Sequence, residues 1–168
     1  MAIDLRDITD AVQTYLNKKV AVAITELKAT NGDQVDPGET FDVKLEATNA
    51  DATSGVSLKN LKFRVSVDDG SVAKLIVPDG FLFSSTDLDG NSVVKGTERT
   101  SMIVSNAGVS RLIAGQSGGF TISGKASGAA SGGKTTVRAR VLADVDLDEL
   151  FPQGEDSSQT TKALAVKG

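Results

Sequence analysis

The chain has 168 residues, a hydrophobic content of 39% and a formal net charge of −4, which fits one globular domain that buries a core of its own. It contains no cysteine and no histidine, so disulfides, thiolate chemistry and histidine-based catalysis are excluded. The acidic balance argues against a nucleic-acid partner, because nucleic-acid-binding proteins carry a basic footprint.

Residues 3–17 contain the only good helix pattern in the sequence. Asp4 can cap the start of this helix, and Asp7 adds a negative charge to its first turn. Either the helix packs across one end of its own domain, or residues 1–18 form an arm that docks on a neighbouring subunit. The apolar stripe that would make either contact consists of Leu5, Ile8, Val12, Tyr15 and Leu16.

The N-terminus also bears on targeting. It is acidic and amphipathic, whereas a signal peptide starts with basic residues and continues with an unbroken apolar core. No segment approaches the roughly 18 apolar residues of a membrane span. We therefore expect a protein that is made in the cytoplasm without a signal peptide and that has no membrane partner.

Residues 19–168 are predicted to form one all-β domain. The segment Asp36–Asn49 shows the pattern most clearly, because a Pro-Gly turn is followed by apolar residues at odd positions and polar residues at even positions. Turn residues separate such strands at regular intervals, over residues 20–27, 39–49, 58–67, 72–77, 99–104, 109–113, 119–125, 135–147 and 160–166.

The segments around these strands carry predictions of their own. Phe81-Leu82-Phe83 is short, apolar and expected to be buried. Residues 124–133 are rich in Gly, Ser and Ala and are predicted to form the mobile tip of a long hairpin, and residues 151–159 a polar connection. A strand over residues 135–147 would span about 45 Å, longer than strands usually run, so we expect a bend or bulge near Leu142.

These elements predict an antiparallel β-sandwich with a short N-terminal α-helix. Four segments resemble the turn-and-strand motifs of bacterial immunoglobulin-like domains of the CARDB or related adhesion-module type: Pro37–Asn49, Ala114–Ile122, Gly133–Val141 and, as the final strand, Thr160–Val166. The resemblance implies an immunoglobulin-like fold that serves as a binding or spacing module, and it implies no catalytic residues. The N-terminal helix is an addition to that pattern.

A candidate calcium loop begins at Asp87. Asp87, Asp89 and Asn91 place oxygen ligands at positions 1, 3 and 5 of such a loop, and Glu98 falls at position 12. Position 6 is Ser92 in place of the usual glycine, and no helices flank the loop, so an ordinary turn remains the alternative. No other cofactor is indicated.

In one strand near the C-terminal end, the charge at the polar positions changes from positive to negative along the strand. Arg138 and Arg140 are followed by Asp144, Asp146 and Asp148. Such a strip can pair with a copy of itself or with another subunit. The alternatives are ordinary solubility, protection of a sheet edge, or a cation site among the acidic residues.

The sequence predicts a protein that is not an enzyme, because it also lacks a nucleophile elbow and a phosphate loop. The first hypothesis is a structural protein that binds protein partners or its own copies in a phage virion (as a capsid decoration or tail component) or in a phage-like particle. The N-terminal helix and the C-terminal strand would be its attachment arms. The alternative is a cell-surface adhesion or carbohydrate-binding module, with calcium as an optional ligand, although one Tyr and no Trp offer little to stack on sugars.

Overall fold

The computed structural model describes residues 20–28, 34–50, 57–146, 154–156 and 159–168. These residues form two β-sheets in a sandwich, as the alternating sequence pattern predicts. The helix and arm predicted over residues 1–18, with their apolar stripe, lie outside the described residues, and so does Asp148.

Thirteen strands follow one another in the described part of the chain. A 3-10 helix at Ala107–Val109 separates β8 from β9. The strands are β1 (Val20–Lys28), β2 (Gln34–Val35), β3 (Thr40–Asn49), β4 (Ser57–Val67), β5 (Ala73–Ile76), β6 (Phe83–Thr86), β7 (Glu98–Arg99), β8 (Ser101–Asn106), β9 (Arg111–Leu112), β10 (Ser117–Ala126), β11 (Lys134–Asp146), β12 (Gly154–Asp156) and β13 (Thr160–Val166).

The strands divide between a five-stranded and an eight-stranded sheet. The smaller sheet has the order β1-β3-β10-β5-β7. The larger has the order β2-β13-β11-β4-β8-β6, with β12 beside β11 and β9 beside β4. The central pairs β3–β10 and β4–β11 are antiparallel, whereas β13 and β2 run parallel.

Strand β3 shows how the alternation builds the core. Phe41, Val43, Leu45 and Ala47 are between 0 and 2% exposed, while the residues between them are exposed or half-buried. Successive side chains of a strand point to opposite faces, so these four residues form one apolar layer. The same alternation on β4 supplies the facing layer, and the two inner faces meet to form the core.

A β-bulge interrupts the pairing of β4 with β11. Leu142 lies opposite Lys62, but Asp144 lies opposite Lys59, so β4 carries one extra residue between the two pairs. Asn60 lies in this gap with a φ of 55°, in the left-handed region that Asn tolerates better than most residues. The bulge expected near Leu142 is therefore confirmed, with the extra residue on the partner strand.

Three phenylalanines connect the two sheets inside the core. Phe120 of β10 packs edge-to-face on Phe63 of β4, with ring centroids 5.0 Å apart, and on Phe83 of β6, with centroids 5.5 Å apart. Contacts of this kind contribute about 0.5–1.5 kcal/mol beyond the burial of the rings. Ile122, two residues along β10, is 2% exposed and belongs to the same core.

Asn49 ends β3 with a fully buried amide side chain. Its backbone N–H donates to the Gln116 carbonyl at 2.9 Å, and its carbonyl accepts from the Gly115 N–H at 2.8 Å. Its side-chain Nδ2 donates to the Leu112 carbonyl at 3.4 Å. Because a buried polar group is costly unless it is hydrogen-bonded, these contacts make Asn49 the tie between β3 and the turn that precedes β10.

The prediction that Phe81-Leu82-Phe83 is buried is wrong for two of its three residues. Phe81 is 93% exposed and Leu82 is 43% exposed, whereas Phe83 packs against the core. The turn at Pro78-Asp79-Gly80 is followed by a loop, and β6 begins only at Phe83. The alternation that buries every second side chain therefore starts after the first two residues of the triplet.

The strand predicted over residues 109–113 is reduced to two residues. The 3-10 helix takes up Val109, and β9 comprises Arg111–Leu112 alone. Ile113 is 56% exposed. The Asn106 side chain accepts a hydrogen bond from the Gly108 N–H at 2.8 Å, which starts the helical turn in place of an extended backbone.

Residues 124–133 do not form a hairpin tip. Strand β10 continues to Ala126 and belongs to the smaller sheet, whereas β11 belongs to the larger one, so this segment crosses between the sheets. Backbone hydrogen bonds join the Ala130 N–H to the Ser127 carbonyl at 3.2 Å and the Gly133 N–H to the Ala130 carbonyl at 2.7 Å. This low-complexity segment is therefore a hydrogen-bonded turn.

The C-terminal strand is an integral part of the larger sheet. Strand β13 pairs antiparallel with β11 and parallel with β2, so the hypothesis that it is an attachment arm is wrong. The segment predicted as a polar connection contains β12, which pairs antiparallel with β11. The described residues include no helix with the length and apolar character needed to cross a membrane.

Candidate protein-binding face

Four basic side chains lie close together among the described residues on the outer face of the larger sheet. Strand alternation places Lys62 and Arg64 of β4 on this face, together with Arg138 and Arg140 of β11, because the residues between them are buried. We call these four residues the basic face. It stands out against a chain whose formal net charge is −4.

Two arginines of the basic face lie directly opposite each other. Arg64 is in register with Arg140, and like charges in directly opposed positions destabilise a sheet. Among the described residues, no hydrogen bond or ion pair involves the Arg64 side chain. Taken alone, the contact between these two like charges is unfavourable.

Arg138 is held in place by a bidentate ion pair. Its Nε donates to Asp68 Oδ1 at 2.6 Å and its Nη2 donates to Asp68 Oδ2 at 2.8 Å. These hydrogen bonds lower the pKa of Asp68, and the same contact raises the pKa of Arg138. The pairing uses two of the three guanidinium nitrogens and leaves Nη1 for a further acceptor.

Gln159 orients Arg140. The arginine donates from Nε and Nη2 to Gln159 Oε1, at 3.2 and 3.0 Å. An amide is neutral, so this contact positions the guanidinium without cancelling its charge. A depression of about 210 Å³ lies between these groups and is lined by Arg64, Ser66, Arg138, Ala139, Arg140 and Gln159. The described lining thus includes three arginines and no carboxylate, a composition suited to an anion.

A second like-charged pair, on the smaller sheet, has a different environment. Lys125 of β10 lies directly opposite Lys74 of β5. Both line a depression of about 420 Å³ that Glu98 also lines. This depression supplies a carboxylate for its two ammonium groups, whereas the described lining of the depression between the arginines supplies none.

An apolar loop borders the basic face. Phe81 and Leu82, which we call the apolar loop, line a groove of about 450 Å³. Lys62, Ser84 and Ser105 line the same groove from the larger sheet. The groove therefore joins the apolar loop to the basic face through Lys62.

The backbone of the apolar loop is fixed at several points. The Leu82 carbonyl accepts from the Ala107 N–H at 2.9 Å, and the Gly80 carbonyl accepts from Lys95 Nζ at 2.6 Å. The next residue, Phe83, packs against Phe120 in the core. A large aromatic side chain that is exposed on an ordered backbone is typical of an interface anchor.

The four residues of the calcium hypothesis lie in two elements. Asp87 Oδ1 accepts hydrogen bonds from the backbone N–H groups of Asp89 and Asn91, both at 2.9 Å. The bond from Asn91 is the main cause that lowers the pKa of Asp87. Glu98 lies in β7, opposite Ile76 of β5. The described residues hold no group of three His, Cys, Asp or Glu side chains suited to a metal ion. Calcium binding, which can also use amide and backbone oxygens, stays a prediction.

The predicted two-signed strip spans the bulge. Arg138 and Arg140 lie before it, whereas Asp144 pairs with Lys59 after it and Asp146 ends β11. Asp148 lies outside the described residues. Pairing between copies along this strip stays a prediction.

Sequence reasoning missed Lys62, Arg64 and the apolar loop as site residues. Lys62 and Arg64 occupy polar positions of a correctly predicted strand, but only the register brings Arg64 beside Arg140. For Phe81, the usable signal was the preceding Pro-Asp-Gly turn, which favours a loop in the residues that follow it.

No protein-family model and no curated protein matches this sequence significantly. Among solved structures, AvmM, which catalyses macrocyclization in alchivemycin A biosynthesis, is similar with a TM-score of 0.53 and 9% identity, over 90% of each chain. The sixth cohesin of scaffoldin B from Acetivibrio cellulolyticus, solved with a Cel5 dockerin, has a TM-score of 0.48 and 14% identity, over 89% of this chain and 98% of that one. Domains D2 and D3 of the major pilin SpaD from Corynebacterium diphtheriae have a TM-score of 0.48 and 14% identity, over 85% of this chain and 51% of that one.

These similarities concern the fold. A cohesin and a pilin are among the proteins with a similar structure. Identities between 9 and 14% say nothing about the residues of the basic face or the apolar loop. Because AvmM is a catalyst, the similar structures leave the non-enzymatic role a prediction.

Proposed function

We propose that this chain is a non-enzymatic module that binds another protein through the apolar loop and the adjoining basic face, as a structural component of a phage or phage-like particle. The observation that carries the binding role is the 93% exposure of Phe81 on a loop with a hydrogen-bonded backbone. Aromatic side chains are enriched at the centres of protein interfaces, because their burial removes a large apolar surface from water.

The strand order supports the immunoglobulin-like type of sandwich. The order β1-β3-β10-β5 corresponds to strands A, B, E and D, and β13-β11-β4 corresponds to G, F and C. Strands β8 and β6 extend the larger sheet beyond β4, as the additional strands of variable-type domains do. The basic face then lies on the outer side of the sheet that contains F and C.

Three carboxylates with lowered pKa values have structural roles in turns and in one ion pair. Hydrogen bonds lower the pKa of Asp68, Asp69 and Asp87. A general acid that works near neutral pH needs a raised pKa. These three carboxylates are therefore suited to holding turns and one ion pair, and not to donating protons.

The particle setting is an analogy with where such modules occur, and it extends the proposal to localisation: synthesis in the cytoplasm, followed by attachment to the particle. Co-sedimentation with particles purified from the source organism tests it. The unaltered chain should pellet with the particles. Phe81→Ser should weaken binding about 10- to 100-fold, because burial of a Phe side chain contributes about 1.5–3 kcal/mol.

Ile113→Ser is the matched control, since Ile113 is another exposed apolar residue, 56% exposed, outside the groove. It should bind like the unaltered chain, and both variants should keep the same unfolding midpoint. Equal binding by the two variants would exclude the apolar loop as the anchor. Binding to whole cells without binding to particles would favour the alternative of an adhesion module.

A further inference from the structure

The residues just before the apolar loop carry a chemical feature that partner binding does not use. The sequence has three Asp-Gly pairs, at Asp69-Gly70, Asp79-Gly80 and Asp89-Gly90. We propose that Asp79-Gly80 is a site of spontaneous conversion to isoaspartate, and that this conversion limits how long the apolar loop keeps its shape. The site stands on its own geometry, whereas its effect on partner binding rests on the proposed function.

The conversion joins a backbone nitrogen to the side chain of the residue before it. The Gly80 nitrogen attacks Cγ of Asp79, the Cγ–OH bond breaks, and the hydroxyl leaves with the proton of the nitrogen as water, which closes a five-membered succinimide ring. A water molecule then opens the ring. Cleavage at the main-chain carbonyl carbon leaves Gly80 attached to Cγ as isoaspartate, whereas cleavage at Cγ restores aspartate. The two steps need no oxidant and no reactant other than water.

The structure holds the reacting groups of Asp79-Gly80 together. The Gly80 N–H donates a hydrogen bond to Asp79 Oδ1 at 2.8 Å, so the carboxyl group lies beside the nitrogen that must attack it. Both residues are exposed, which gives water access to the ring. Gly80 has no side chain to shield its nitrogen, and its φ of 119° is a conformation that glycine adopts freely. Reacting groups that are held close together react faster than the same groups in a mobile chain.

Asp69-Gly70 has a different arrangement. Asp69 Oδ1 accepts from the Ser71 N–H at 2.9 Å and from Ser71 Oγ at 2.5 Å, so the carboxylate is held by the residue beyond Gly70. These bonds lower the pKa of Asp69, which reduces the neutral carboxyl form that can lose its hydroxyl. Gly70 also packs so closely that a Cβ there would meet Thr100 Cγ2. A packed backbone resists the rotation that ring closure needs.

Asp89-Gly90 is exposed but is held by other contacts. The Gly90 N–H donates to the Asp87 carbonyl at 3.1 Å and not to the Asp89 carboxylate. The Asp89 N–H donates to Asp87 Oδ1 at 2.9 Å, so both backbone nitrogens belong to the turn that Asp87 organises. Of the three pairs, only Asp79-Gly80 therefore has its carboxylate hydrogen-bonded to the nitrogen of the following glycine.

Conversion would disturb the apolar loop at the point where its backbone is fixed. Isoaspartate adds one carbon atom to the main chain of residue 79. The Gly80 carbonyl accepts from Lys95 Nζ at 2.6 Å and from the Phe83 N–H at 3.3 Å, and these bonds fix the backbone on either side of Phe81. A longer main chain displaces that carbonyl. Phe81 would then lose the ordered backbone that reduces the entropy lost on binding a partner.

Peptide mapping with electron-transfer fragmentation tests the site, because it distinguishes aspartate from isoaspartate at each position. After several weeks in mildly acidic buffer, the folded chain should contain about tenfold more isoaspartate at residue 79 than at residue 69 or 89. In guanidinium chloride the three pairs lose their different surroundings, and the preference should fall below about twofold. Three results would overturn the inference: no isoaspartate at residue 79, equal amounts at the three positions, or a preference that persists in the unfolded chain.

Co-sedimentation of aged chains with particles tests the effect on binding. Asp79→Glu keeps the charge but would have to close a six-membered ring, which forms far more slowly, so this variant should bind equally well before and after ageing. The unaltered chain and the matched control Asp89→Glu should lose binding in proportion to the isoaspartate at residue 79. Accumulation of isoaspartate without loss of binding would show that the conversion does not limit the apolar loop. If the fresh chain binds no particle, the proposed function fails, whereas the modification site is still decided by peptide mapping.

Discussion

The β3–β10 and β4–β11 pairs are the central antiparallel pairs of the two sheets, and they differ in regularity and in charge. Strands β3 and β10 keep one register along their whole contact, whereas β4 and β11 shift theirs at a bulge. The outer positions of β3 include both Asp42 and Lys44, whereas the charged residues in the described lining of the arginine depression are all arginines. The inner faces of both sheets supply the core, so the outer faces are free to differ in charge. The outer face around β3 carries both signs of charge, whereas the described lining of the arginine depression is positively charged.

The regular pair depends on glycines at two close approaches. A Cβ at Gly124 would meet the ring of Phe41, and a Cβ at Gly119 would collide with the Leu45 carbonyl oxygen. Both glycines belong to β10. In the β4–β11 pair, Arg64 and Arg140 are not restricted in this way, because their side chains point away from the core on the outer face of the sheet.

The largest effect is expected for Gly119→Ala. The backbone of β3 must shift to admit the methyl group, so the free energy of unfolding should fall by about 3 kcal/mol. Gly128→Ala is the matched control, because nothing lies near a Cβ at that position and it should change the free energy by less than about 1 kcal/mol. Urea unfolding of both variants measures the difference. Equal stabilities would show that the β3–β10 approach is not tight.

The bulge in the irregular pair can be tested at Asn60. Asn60→Val should lower the free energy of unfolding by about 1–2 kcal/mol, because a β-branched residue is strained at a positive φ. Asn60→Gly should be far milder, since glycine adopts that conformation freely. Chemical denaturation separates the two. Equal stability of the Val and Gly variants would contradict the left-handed backbone conformation of residue 60 in the bulge.

The two like-charged pairs should respond differently to removal of one charge. Arg64→Thr relieves a repulsion and should raise the unfolding midpoint by about 1 °C at low salt. Lys125→Thr should give a smaller rise, because it also deprives Glu98 of a neighbouring cation. Scanning calorimetry at low and high salt provides the measurement, and salt should diminish the difference. A larger gain for Lys125→Thr would reverse the comparison.

The smallest effect concerns acid stability. The hydrogen bonds from Arg138 lower the pKa of Asp68 from its ordinary value of 3.8. The ion pair therefore stabilises the folded state fully above that pH. This stabilisation is lost as the pH falls through the lower pKa that Asp68 has in the folded protein. Asp68→Asn should therefore flatten part of the stability loss below about pH 4. Arg138→Gln should flatten the same region. If both variants lose stability with falling pH in the same way as the unaltered chain, the ion pair does not affect stability.

Much of the fold follows from local pattern. The alternation in β3, the long β11 and the final strand predict real strands, and strand length alone predicts the bulge near Leu142. The pattern fails where an apolar run follows a turn, as at Phe81, because hydrophobicity does not reveal which residue first joins a sheet. It also fails at residues 124–133, since a Gly-rich turn has the same composition in a hairpin and in a crossing between sheets.

The candidate site was less predictable than the fold. The positions of Arg138 and Arg140 on an exposed strand face follow from the sequence, but their meeting with Arg64 depends on a pairing between distant segments. The pairing of Asp68 with Arg138 is of the same kind. Long-range register decides both contacts, and one sequence does not encode it in any short motif.

The aromatic composition has a practical consequence for spectroscopy. The chain has no Trp, and its single Tyr is residue 15, so phenylalanine is the only aromatic type in the described sandwich. The near-ultraviolet circular dichroism of the sandwich therefore arises from rings such as Phe63, Phe83 and Phe120, which connect the two sheets. Phe81→Trp would place the only indole of the chain at a position that is 93% exposed. Its emission would report directly, without background, whether a partner covers the apolar loop.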